Sequence, residues 1–241
     1  MQYLDYDRLD AIDAKSFQQT RPYPWINPAG LLTDEAYQRL LKGLPTIEQM
    51  TPSFGKQRSH GQKSHDRYAL EYDEKLDIDS AWHEFVAELK GSRYYAFAKR
   101  TFGRGRFKFD FHWHYAPRGS SVSPHCDANR KLGSHIFYFS TPDNWDPSWG
   151  GDTVILDDHG RFPRESAPEF DDFDKSYSGK SIGNYSLLFQ RQERSWHGVR
   201  EITCPEGLYR KVFIVVINDW LRARVRRAVG TLKGEGDQYN L

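Results

Sequence analysis

Four residues carry the chemistry this sequence suggests. Pro124-His125-Cys126-Asp127 is followed, 70 residues after Asp127, by Trp196-His197-Gly198-Val199. In extended backbone the side chains at i and i+2 fall on one side, so His125 and Asp127 can converge on one point. His197, from a neighbouring strand, can complete a facial set of two imidazoles and one carboxylate. That donor set suits Fe(II). It leaves adjacent positions through which a 2-oxo acid can chelate and dioxygen can bind, which a closed four-ligand zinc site does not. Thirteen residues after His197 stands Arg210, in phase with Val212, Ile214 and Val216 of an apolar strand. A guanidinium among aliphatic side chains needs an anionic partner, because an unpaired buried charge is costly. The distal carboxylate of 2-oxoglutarate is one such partner, matched to arginine's planar fork. An internal Asp or Glu is the other.

Further residues could serve the same centre. Tyr138, on the strand after the H-x-D segment, can hydrogen-bond the distal carboxylate if the strand phase turns it inward, whereas a one-residue slip turns it away. His112 and His114 form H-x-H beside Asp110. They offer a second metal site or a solvated strand face, and the second is favoured because no further ligands follow at zinc spacing. Cys126 should point away from its two neighbours by parity, and Cys204 falls in a loop, so neither is a strong nucleophile. Two regions could shape a substrate site: the cationic stretch Lys56, Arg58, His60, Lys63, His65 and Arg67, and the long segment 157–184 with Asp171, Asp172 and Asp174, a candidate lid.

These side chains need a scaffold of strands. From residue 106 the apolar period is two: Phe107, Phe109, Phe111, Trp113 and Tyr115 alternate with Lys108, Asp110, His112 and His114. Further strands are expected over about 134–140, 151–156, 185–190, 196–199 and 209–217. Ahead of them the pattern is helical. Thr33 is a plausible N-cap for a helix carrying Leu40, Leu41 and Leu44. Trp82, Phe85, Val86 and Leu89 mark a second helical stretch over about 79–102, broken near Gly91. Residues 1–30 and 51–77 show little periodicity. Helices first and strands later define an α+β class, a double-stranded β-helix or jelly roll with N-terminal helices packed on one sheet. We expect residues 1–241 to form one domain: a helical lead-in over about 1–105, a jelly-roll core over about 106–218 and a basic helix over about 219–233, with Arg222, Arg224, Arg226, Arg227 and Lys233 on it.

Composition narrows the setting. With 34 basic and 33 acidic side chains the net charge is +1, which supplies no electrostatic reason to expect nucleic acid. Two cysteines are too few for a disulfide framework and favour a reducing compartment. The N-terminus carries Asp5, Asp7, Asp10 and Asp13, unlike a secretory leader, and no apolar run has the length of a membrane span. The expectation is a cytoplasmic protein.

The order His125, Asp127, His197, Arg210 resembles the Fe(II)- and 2-oxoglutarate-dependent dioxygenases, most nearly their prolyl-4-hydroxylase-like branch. Gly150-Gly151 before a strand, and Gly207-Leu208-Tyr209-Arg210-Lys211, are similar to that branch too. The likeness covers 107–218, with 22–44 similar to its lead-in helix. It implies a jelly-roll fold, Fe(II), 2-oxoglutarate and O2 as cofactor and co-substrates, ascorbate as a candidate reductant, and succinate and CO2 as products. It also implies that Tyr115, ten residues before His125, looks into the site beside 2-oxoglutarate; simple core packing with Phe111 and Trp113 is the alternative. The gap from His197 to Arg210 is a few residues longer than in the animal oxygen-sensing members and leaves Lys211 as a rival anchor. Related halogenases have a small residue in place of the carboxylate, so Asp127 favours hydroxylation. The substrate stays open between a small molecule, a glycan-type metabolite and a peptidyl proline, with the first two favoured. A cupin-like metalloenzyme without 2-oxoglutarate and a non-catalytic binding module are the rivals from other classes.

Overall fold

The computed structural model describes residues 1–103 and 106–221. The arginines and lysine expected on a basic C-terminal helix, from Arg222 to Lys233, lie outside the described residues.

The helical lead-in is richer than its periodicity suggests. It runs α1 (Tyr6–Asp10), α2 (Ala14–Gln19), β1 (Trp25–Ile26), α3 (Asp34–Lys42), β2 (Thr51–Ser53), β3 (Arg67–Glu71), α4 (Ser80–Leu89) and α5 (Ser92–Phe102). Caps explain where the helices start: the side chains of Asp5, Asp13, Thr33 and Asp79 each accept a backbone N–H of the first turn, offsetting the unpaired donors there. Gly91 separates α4 from α5. Residues 1–30 thus contain two short helices and a strand, and 51–77 contain a hairpin. These elements are too short to establish a period.

The core strands follow: β4 (Phe107–Ala116), β5 (Val122–His125), β6 (Lys131–Tyr138), β7 (Thr153–Asp157), β8 (Lys175–Ser178), β9 (Ser186–Gln190), β10 (His197–Val199) and β11 (Arg210–Asp219). Among the described residues they form a larger sheet, β1-β9-β6-β11-β4-β3-β2, facing a smaller one, β5-β10-β7-β8. The pairing is antiparallel, and β11 is matched to β4 from Arg210↔Ala116 to Asp219↔Phe107.

Parity gives the larger sheet two apolar faces. Phe111, Trp113, Tyr115, Phe137, Phe213, Val215 and Ile217 face the helices and meet Trp82, Phe85, Tyr94 and Phe97. Each buried Phe there contributes roughly 1.5–3 kcal/mol. The opposite set, with Ile136, Tyr138, Leu187, Phe189 and Val212, faces Ile155 of the smaller sheet. This is the expected double-stranded β-helix with helices on one sheet. The segment 157–184 is no bare loop. It carries β8, and its Phe162, Phe170 and Phe173 pack against Trp196.

Candidate metal centre

Strand pairing brings the metal-ligand candidates together. His125 ends β5 and His197 begins β10, and the two are Cα partners in one antiparallel ladder. Their rings lie 4.4 Å apart between centroids. Asp127 follows in the turn out of β5. One ligand atom from each of His125, Asp127 and His197 lies within 4.8 Å of the others, and all three residues are buried.

The hydrogen bonds prepare this set for a cation. His125 Nδ1 donates to the Ser123 carbonyl at 3.0 Å, and His197 Nδ1 donates to the Ser195 carbonyl at 2.9 Å. A carbonyl can only accept, so the proton sits on Nδ1 and each Nε2 keeps its lone pair for a metal. Burial holds both imidazoles below their usual pKa, the form a metal requires. Burial works against the charge of Asp127, but Lys131, His197 and His125 outweigh it and keep the carboxyl well below the usual range. Lys131 Nζ donates to Asp127 Oδ1 at 2.6 Å. Arg164 Nη2 fixes the turn by donating to the Asp127 carbonyl at 2.9 Å. Two neutral imidazoles and one ionised carboxylate, converging from one side, fit Fe(II) with open positions.

Arg210 stands in the same cavity, which measures about 110 Å³. Its Nε donates to the Gly151 carbonyl and its Nη2 to Thr153 Oγ1 at 3.1 Å. Gly151, at φ +94°, is the close-approach point: a Cβ there would meet Arg210 Cδ at 3.1 Å. Tyr138 donates to Thr153 Oγ1 at 3.0 Å, and its ring centroid is 5.6 Å from the Arg210 guanidinium carbon. Arg210 is only 8% exposed, yet none of the ion pairs among the described residues includes it. Asp152 favours its charge from nearby without forming an ion pair with it.

Tyr115 and Lys211 lie elsewhere. Tyr115 is buried on the helix-facing side, where its hydroxyl donates to the Pro45 carbonyl at 2.9 Å. It does not look into the site, because it shares a strand face with Phe111 and Trp113. Lys211 faces the same way, 5.5 Å above the Tyr115 ring. The cavity-facing positions of β4 are His112 and His114. They were expected on a solvated face, and instead His112 is 3% exposed. Asp110 is engaged by Lys108 and Asn218. Among the described residues no third ligand joins the two histidines. Cys126 packs beside Val154 and Trp196, and Cys204 is buried near Trp145 and Ile202. Sequence reasoning missed Lys131 and Thr153 altogether; the only sign of Lys131 was its place four residues after Asp127.

No protein-family model matches the sequence, and no curated protein does. Solved structures do match. A prolyl-4-hydroxylase from Pseudomonas putida is 15% identical, with a TM-score of 0.57 over 85% of this chain and 97% of that one. A Trichoplax adhaerens prolyl hydroxylase, in complex with a hypoxia inducible factor peptide fragment, is 14% identical, with a TM-score of 0.58 over 91% and 93%. The non-heme alpha-ketoglutarate-dependent carbocyclase SnoK is 11% identical, with a TM-score of 0.59 over 88% and 86%. The fold is that of the 2-oxoglutarate/Fe(II) oxygenases, in the arrangement shared with the prolyl-4-hydroxylases.

Proposed function

We propose that this protein is an Fe(II)- and 2-oxoglutarate-dependent dioxygenase that hydroxylates a C–H bond of a small-molecule or glycan-type substrate. The observation that carries this reading is one cavity holding both the His125, Asp127 and His197 set and Arg210, a buried guanidinium with no ion pair among the described residues. Bound Fe(II) supplies the redox chemistry that couples decarboxylation of 2-oxoglutarate to oxidation of the substrate, with succinate and CO2 as co-products. His125, Asp127 and His197 hold the metal. Arg210, with Thr153 and Tyr138 beside it, receives the distal carboxylate. The apolar walls Ile136, Phe189, Val212 and Ile214 exclude water from the reacting atoms. The likeness to two prolyl hydroxylases keeps a peptidyl proline as the second reading.

Anaerobically purified protein loaded with Fe(II) should convert 2-oxoglutarate to succinate once air is admitted, faster with a metabolite pool than alone. A prolyl peptide in place of the pool separates the two readings. His125→Ala, Asp127→Ala and His197→Ala should each abolish turnover. Mn(II) with N-oxalylglycine, a non-reacting mimic, should raise the melting temperature above Mn(II) alone. A native-state ligand at a hundredfold excess over Kd adds roughly 2.7 kcal/mol. No increment from the mimic would support a cupin-like metalloenzyme instead.

A further inference from the structure

We infer that the substrate carries an anionic group, a carboxylate or a phosphate, and that Arg67 is its receptor. This rests on the oxygenase reading and deepens it. Arg67 opens β3, which pairs with β4 on the far side from β11. Its neighbour in phase, Ala69, is matched to His114. Arg67 therefore points to the cavity side and lines the same cavity as the metal-ligand set. It is a second guanidinium there, apart from Arg210.

Arg67 is poorly satisfied from within the chain. Its Nη1 donates to the His65 carbonyl at 2.7 Å, while its Nε is buried without a hydrogen-bond partner. No ion pair among the described residues includes it. Burial, reinforced by the neighbouring Arg58 and opposed by Asp66, lowers its pKa to about 10, so it stays charged at neutral pH. A second observation points to a ligand at the same place. His114, in the cavity wall beside it, has a buried Nε2 with no partner. His65, two residues from Arg67, lies against His125 with ring centroids 4.9 Å apart, which puts Arg67 next to the reaction centre.

Charge balance separates this site from the co-substrate's. Fe(II), Lys131 and Arg210 would bring four positive charges, and Asp127 with the two carboxylates of 2-oxoglutarate three negative ones, so the site is cationic before Arg67 is counted. The second opening onto the ligand set is also cationic, lined by Arg58, Lys131 and Arg164, with Glu165 beside them. A neutral substrate would leave the Arg67 fork buried and uncompensated, whereas a planar carboxylate or a phosphate can take two of its N–H donors.

The test uses the full chain with saturating Mn(II) and N-oxalylglycine, and reads thermal stabilisation. The probes are matched pairs: phenyl phosphate against phenol, and benzoate against benzamide. We expect at least one anion to add stabilisation while its neutral counterpart adds none, and the two pairs distinguish phosphate from carboxylate. Arg67→Met should weaken that anion at least tenfold and keep the increment from N-oxalylglycine. Arg67→Gln, which loses the charge and keeps a polar group, gives the same reading if Arg67→Met does not fold. Equal response to charged and neutral partners, no response to either anion, or an unchanged anion response in the variants overturns the proposal. Loss of the N-oxalylglycine increment in the Arg67 variants would assign Arg67 to the co-substrate and overturn it too. Absence of that increment in the wild type is a separate failure, that of the oxygenase reading.

Discussion

Arg210 and Lys211 are adjacent cations on one strand, and a strand sends adjacent side chains to opposite faces. Both phases of β11 are apolar, so the sequence places one of them inward without saying which. The register does: Arg210 is level with Ala116 on the His114 side, and Lys211 with Tyr115 on the helix side. We therefore expect Arg210→Leu to raise the KM for 2-oxoglutarate far more than Lys211→Leu. Loss of a buried, charge-assisted pair costs about 2–4 kcal/mol, or roughly 30- to 1000-fold in affinity. Mn(II) binding should survive in both. The opposite ranking in a 2-oxoglutarate titration would reverse the assignment. The same parity decides between the two readings of Tyr115. Its spacing from His125 suggested the site, but its phase with Phe111 and Trp113 decides its face, and those rings belong to the helix layer.

The element that positions the metal-ligand set is the β5–β10 ladder, and its weak point is Gly198. A Cβ at Gly198 would meet the Val122 carbonyl oxygen at 2.6 Å and Phe170 Cζ at 2.8 Å. The first contact is backbone across the ladder and cannot rotate away. Gly198→Ala should push β10 from β5 and carry His197 with it. We expect Mn(II) affinity to fall at least about tenfold, with a stability loss of about 1–3 kcal/mol from overpacking. Mn(II) titration and urea midpoints measure the two, and unchanged metal affinity would show that the ladder absorbs the methyl group. The sequence made β4, β6, β7, β9, β10 and β11 legible because each has an apolar run or alternation. It hid β5, whose four residues include Pro124, and β8, whose side chains are all exposed. Long periodic elements announce themselves, whereas short strands are defined by what they pair with. The metal-ligand candidates could be read despite the hidden β5 because they rest on residue type and spacing.

At the scale of the whole molecule, the larger sheet has buried histidines on both faces, and acid should act on the fold through them. His135 lies on the helix side, 0% exposed, stacked on Tyr94 and hydrogen-bonded through Nδ1 to its hydroxyl over 2.9 Å. Protonation would leave a charge among rings. Burial accordingly lowers its pKa to about 3. His112, on the cavity side, is lowered to about 4, by burial against the pull of Asp110. A histidine whose folded pKa lies below its unfolded value, near 6.5, favours the native state fully above about pH 6.5 and loses that contribution as pH falls toward the folded value. Each such group costs roughly 1.4 kcal/mol per pH unit in that window. From about pH 6.5 to 4.5, His135 alone should account for roughly 2 kcal/mol of lost stability. His135→Gln can still hydrogen-bond Tyr94 and does not titrate. In metal-free protein, urea unfolding at the two pH values should show the variant losing less stability than the wild type by about that amount. An equal loss in both would mean that His135 takes up its proton as readily in the folded as in the unfolded chain and that acid acts through the cavity histidines.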